Sequence, residues 1–209
     1  WPALLLANLL AIGVAATMGL TLSLFAALTL TLVAGILALF RLPHDPGPVA
    51  PALLLLVVFA GVFIAAGAWL TRRSGSTAKS AAAMEGQAVQ PQAALIPVTA
   101  CTMPFVLLVL LVLRLPLWNP SPAFGAGMLF VTLLLGLATL SRQTPLVPTA
   151  AVLMGVLEMV WHVHRFNPQD ALTPLGWYLA CHAVFTAFPF LYRRLRGESS
   201  LPWVASALS

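Results

Sequence analysis

The segment VLEMVWHVHRF, residues 156 to 166, concentrates reactive side chains inside an apolar stretch. Glu158, His162 and Arg165 stand at i, i+4 and i+7, so one helical face would carry a carboxylate, an imidazole and a guanidinium in a row. His164 points elsewhere. With Arg165 marking the end of a membrane helix, Glu158 lies seven residues deeper, roughly 10 Å inside the boundary. A carboxylate at that depth is costly unless it is neutral, paired or facing water. A second segment, WYLACHAVFTAFPF at residues 177 to 190, supplies partners. His182 falls at a similar depth, and Tyr178 stands one turn above it on the same face. Glu158, His162, His182 and Tyr178 therefore form the candidate intramembrane polar site. One reading is a polar clamp between helices, favoured because such pairs commonly satisfy buried groups. A second is a proton relay or substrate site, the default for ionisable groups inside a membrane. A third is a metal site of Glu158, His162 and His182: the ligand types suit zinc, but no recognised spacing is present. No metal, cofactor or catalytic residue is assigned.

The remaining polar clusters recur. RLPHDPGP begins at Arg41, RLPLWNPSP at Arg114 and, one residue after His164, RFNPQDALTP at Arg165. Each has an arginine closing an apolar run and then Asp or Asn directly before proline: Asp45–Pro46, Asn119–Pro120 and Asn167–Pro168. An arginine in the last turn complements the helix dipole and reaches toward headgroups. Asx-Pro stops the helix and favours a turn, and proline suits the next helix start. The alternative is that these loops converge on an external pocket, with His44 and Asp45 as the candidate loop site. Neither phosphate-loop, nucleophile-elbow nor H-E-x-x-H patterns occur.

The elements that must position these groups are membrane helices. Of the 209 residues, 61% are hydrophobic and 7% charged, against roughly 25% charged in soluble domains. The mean hydropathy is +1.00. Residues 2 to 40 carry no charge and as one helix would extend about 60 Å, twice the hydrocarbon thickness. They fold back near Gly19, giving spans at 3–17 and 21–40. Further spans are expected at 50–70, 94–115 with a kink at Pro104, 123–141, 146–164 and 172–192, and an eighth opens at Leu201. The fold class is thus all-α, a polytopic transmembrane bundle of about seven to eight spans built from antiparallel helical hairpins. Residues 72–93 form the long polar connection, rich in Ser, Gln, Ala and Gly, and are expected to be a flexible loop. The chain begins at Trp1 and ends within an apolar run, and is read as a single transmembrane domain from a longer protein.

Basic residues set the orientation. Arg41, Arg114 and Arg165 fall on one side, and Arg72, Arg73, Lys79, Arg142, Arg193, Arg194 and Arg196 on the other. Seven against three places the second side, with loop 72–93, in the cytoplasm, and loops 41–49, 115–122 and 165–172 outside. The net charge of +5 is accounted for by these segment ends, so the expected partners are the bilayer, anionic headgroups at the cytoplasmic ends and other spans of the longer chain. Nucleic acid is not implied. Trp69, Trp118, Trp177 and Trp203 lie near boundaries as an aromatic belt would. Cys101 and Cys181 lie inside apolar runs and are read as buried free thiols. Gly61, Gly67, Gly125, Gly127 and Gly136 are read as close-packing positions.

The succession MPFVLLVLLVLRLPLWNPSPAFG, VWHVHRFNP and WYLACHAVFTAFPFLYRRLRG…LPWVASAL resembles the large bacterial membrane proteins of domain of unknown function 2339. The resemblance covers residues 94 to 209 best. It implies a many-span inner-membrane protein without established activity, and carries over no catalytic residues. Three functional readings follow: a structural or assembly protein, a transporter or channel using Glu158 and His182, and an envelope-polymer glycosyltransferase-like enzyme using Asp45.

Overall fold

Apolar runs without charge can enter hydrocarbon only by satisfying every backbone group internally, which a helix does. A computed structural model describes residues 29–37, 40, 50–58, 60–61, 65 and 92–209, the last stretch without 116, 118, 142 and 198. From residue 92 onward the helices are α1 (Gln92–Arg114), α2 (Ser121–Ser141), α3 (Leu146–Arg165), α4 (Leu172–Arg196) and α5 (Leu201–Leu208). A short 3-10 turn, Pro168–Asp170, joins α3 to α4. Residues 29–37 and 50–58 are also helical, and no strand occurs among the described residues.

Ser121–Leu140, Leu146–Arg165 and Leu172–Leu195 are long and apolar enough to cross a membrane. They fall where the spans 123–141, 146–164 and 172–192 are expected. α1 covers all but the last residue of the expected 94–115 and runs unbroken through Pro104, while α5 starts at Leu201. Gln92 and Ala93, expected at the end of the polar loop, already belong to α1. The turn near Gly19 and residues 72–91 lie outside the described residues, as does most of the first three expected spans.

The Asx-Pro motifs do local work at two loops. The Asn119 side-chain oxygen accepts the Ser121 backbone N–H at 2.9 Å, and that of Asn167 accepts Gln169 N–H at 3.2 Å. Each asparagine thus supplies an acceptor to backbone donors that the following turn leaves over.

α3 is the hub, packed against α1, α2 and α5. Its inward face is Leu146, Val147, Ala150, Met154, Leu157 and Trp161, all buried at helical spacing. α4 meets α2 and α5 rather than lying along its neighbour α3, which leaves a groove between these consecutive helices. Close approach of α2 to α3 depends on Gly127. A Cβ there would stand 2.8 Å from Leu157 Cδ2 and 3.0 Å from Met154 Sδ. Of the other four glycines so read, Gly67 lies outside the described residues; a Cβ at Gly125 would make an ordinary 3.8 Å contact with Trp177, and at Gly61 or Gly136 would meet nothing among the described residues within 4 Å. The close-packing expectation is corrected for Gly61, Gly125 and Gly136. Gly136 lies nine residues beyond Gly127, two and a half turns, and so on the opposite side of α2.

Candidate functional site

The repeated arginines come first, because they tie the helix ends together. Arg165 Nη2 donates to the Leu115 carbonyl at 3.1 Å, just past the end of α1. Arg114 Nη2 donates to the Phe40 carbonyl, with its guanidinium carbon 4.6 Å from the Phe40 ring centroid. Each arginine stands in the last turn of its own helix, as expected, and in addition reaches a backbone carbonyl of an earlier segment. The charge meets a helix C-terminus, where carbonyls are left over and the dipole is negative. Arg41, His44 and Asp45 lie outside the described residues.

Within the membrane span, the structure brings Glu158, His162 and Tyr178 to one shallow pocket of about 300 Å³, lined also by Gly155, Met159 and Val163. It lies in the groove between α3 and α4. His162 Nδ1 and the Tyr178 hydroxyl are 3.2 Å apart, and the His162 ring stacks on Phe166 at 4.4 Å between centroids. Glu158 is half-buried, and its Oε1 is enclosed without a hydrogen-bond partner among the described residues. The Cys181 thiol faces this carboxyl and also lies 3.3 Å from Met128 Sδ on α2. On the outer side the pocket opens past Met159 and Val163, which are 69% and 68% exposed.

His182 does not join this group. Its Nε2 lies 3.4 Å from Thr186 Oγ1 and its Nδ1 3.3 Å from Ser209 Oγ, beside the end of α5. The inward face of α4 runs through Cys181, Phe185, Phe188 and Tyr192, the i, i+4, i+7, i+11 series. Tyr178, three residues before Cys181, sits on the edge of that face, whereas His182 is rotated about 100° from Cys181 and looks outward. The residue missed by sequence reasoning is thus Cys181, and the buried periodicity of α4 is the signal that marks it. The three-ligand metal arrangement of Glu158, His162 and His182 is not formed, and among the described residues no group of three His, Cys, Asp or Glu side chains could hold an ion.

A second cavity, of about 370 Å³, lies at the Arg165 end of the bundle. Asn119 and Pro120 from the α1–α2 connection and Ser121 at the start of α2 line it, with Trp161 and Arg165 of α3, Asn167 and Asp170 of the turn, and Thr173 and Pro174 of α4. Two of the three similar loops therefore converge on one polar cavity. Phe124 separates it from the groove, with Trp161, Trp177 and Tyr178 ring centroids at 5.6, 6.4 and 5.7 Å. Trp161 Nε1 donates to the Leu117 carbonyl and Trp177 Nε1 to Ser121 Oγ, each at 3.2 Å, which fixes the aromatic layer. No family model matches the chain, and neither curated proteins nor solved structures give a match.

Proposed function

We propose that this chain is a structural or assembly component of the bacterial inner membrane, and that the α3–α4 groove receives another transmembrane helix. The observation that carries the reading is Glu158 Oε1, enclosed on a span-forming helix with no hydrogen-bond partner among the described residues. A carboxyl so placed is disfavoured in isolation. A donor from a neighbouring helix, such as a Ser, Thr, Asn or Gln side chain, would satisfy it and give association a specific register. The exposed apolar flanks Met159, Val163 and Leu179 match the side of such a helix.

Photocrosslinking in native membranes tests this. A photoreactive side chain at Met159 should trap a discrete polypeptide, and Glu158→Leu should abolish the adduct at unchanged protein level. Adducts to lipid alone, unaffected by Glu158→Leu, would remove the assembly reading. A second reading, a transport pathway, draws on the succession Glu158, His162 and Tyr178 rising from mid-span toward Arg165. It requires flux that depends on pH and disappears in Glu158→Gln at normal yield. The proposed orientation puts the Arg165 end outside. Cysteine labelling from outside intact cells should then modify position 45 and spare position 75; the reverse pattern inverts the topology.

A further inference from the structure

The cavity at the Arg165 end plays no part in the assembly reading, and its lining has a distinct chemical signature. Among the described residues its lining presents one cation, Arg165, and one carboxylate, Asp170. The Arg165 guanidinium is held in place by its bond to the Leu115 carbonyl, so the charge is fixed at the cavity rather than free to swing into solvent. Asn119 and Asn167 each use the side-chain oxygen on a backbone N–H of the following turn. That bond assigns the amide orientation, because only the oxygen can accept, and it turns each NH₂ group into the remaining donor. The cavity therefore offers a guanidinium and two amide NH₂ groups as donors, and a carboxylate with the Thr173 hydroxyl as acceptors.

We infer that this cavity is a subsite for a phosphoethanolamine group, its phosphate toward Arg165, Asn119 and Asn167 and its ammonium toward Asp170. A simple anion would be met by Arg165 but repelled by Asp170, and a simple cation would meet the opposite conflict. A ligand bearing both signs a few atoms apart resolves both. A primary ammonium has three N–H donors for the carboxylate and hydroxyl, whereas a trimethylammonium has none. The volume, about 370 Å³, falls within the roughly 300–1,000 Å³ of small-ligand sites and accommodates a headgroup with water. The cavity stands at the ends of α1 and α3 and the starts of α2 and α4, the level at which headgroups lie. A zwitterionic phospholipid and a free phosphoethanolamine ester share this chemistry.

The test uses the purified membrane protein in detergent, with bound ligands counted by native mass spectrometry. Short-chain phosphatidylethanolamine, phosphatidylglycerol and phosphatidylcholine are titrated in parallel, alongside free O-phosphoethanolamine. Phosphatidylethanolamine should bind about tenfold more tightly than the other two lipids, the scale of one charge-assisted hydrogen bond. Asp170→Asn, an exposed and near-isosteric change, should bring the three lipids to within about twofold of one another, and Thr173→Val should weaken phosphatidylethanolamine binding less. Competition by the free ester would make the source a soluble phosphoethanolamine compound, and lack of competition would make it a membrane lipid. Equal binding of all three lipids by the unaltered protein overturns the inference. So does an ethanolamine preference that survives Asp170→Asn.

Discussion

Replacing Glu158 by leucine separates a carboxyl that holds the bundle together from one that awaits a partner. In the structure Oε1 is enclosed without a hydrogen-bond partner among the described residues, and the contact from the Cys181 thiol comes from a weak donor. An unsatisfied buried polar atom costs about 1–3 kcal/mol, and the thiol returns only a small part of that. Leucine is of similar length, fits among Met159, Val163 and the stem of Tyr178, and needs no hydrogen bond. Glu158→Leu should therefore stabilise the isolated protein by about 1–3 kcal/mol while abolishing the crosslink at Met159. Glu158→Gln should fall between, since the amide stays polar without carrying charge. Equilibrium unfolding in mixed micelles, titrated with sodium dodecyl sulfate, measures the difference. A loss of 1 kcal/mol or more in Glu158→Leu would refute the reasoning, because it would show that the carboxyl already bonds within the bundle.

The packing of α2 on α3 gives a paired expectation: Gly127→Ala should lose about 1–2 kcal/mol, overpacking against Leu157 and Met154 outweighing helix propensity. Gly136→Ala, which meets open space, should be neutral or gain up to about 1 kcal/mol in the same unfolding assay. Arg165→Met should lose about 1.5–3 kcal/mol with its bond to the Leu115 carbonyl, and Arg165→Lys should restore only part, lacking the planar fork. Trp161→Phe should leave the Leu117 carbonyl without its buried donor and lower the unfolding midpoint, while Trp203→Phe, whose side chain is 44% exposed, should change it little.

The helices were legible from the sequence because hydrocarbon permits few alternatives. An apolar run of about 20 residues in hydrocarbon must be helical, so α2, α3 and α4 fall close to their expected limits. Which face of each helix turns inward was less legible. In water the apolar stripe marks the core, but in α4 both the lipid-facing Leu179 and the buried Phe185 are apolar. The assignment of His182 failed for that reason. Spacing from Tyr178 alone places it on the same side, but the inward series through Cys181, Phe185, Phe188 and Tyr192 places it one step outside. Glu158, His162 and Tyr178 came together because two separate helices both deliver them near the Arg165 end.

The recurrent arginine motif links the two sites. Read singly, Arg114 and Arg165 are helix-end residues; read together, each donates to a backbone carbonyl of an earlier segment, Phe40 for the first and Leu115 for the second. Such a relay fixes the heights of successive helix ends relative to one another, because a shift by one helical turn would move each guanidinium about 5.4 Å from its carbonyl. Those heights in turn determine where the Asn119 and Asn167 turns meet to form the polar cavity. They also determine how far below it Glu158 lies, separated from it by the aromatic layer around Phe124. Arg165 is thus a positioning residue for the groove as well as a lining residue of the cavity. Arg165→Lys should accordingly weaken phosphatidylethanolamine binding strongly and the Met159 crosslink only partly. A variant that lost both in equal measure would instead point to general unfolding.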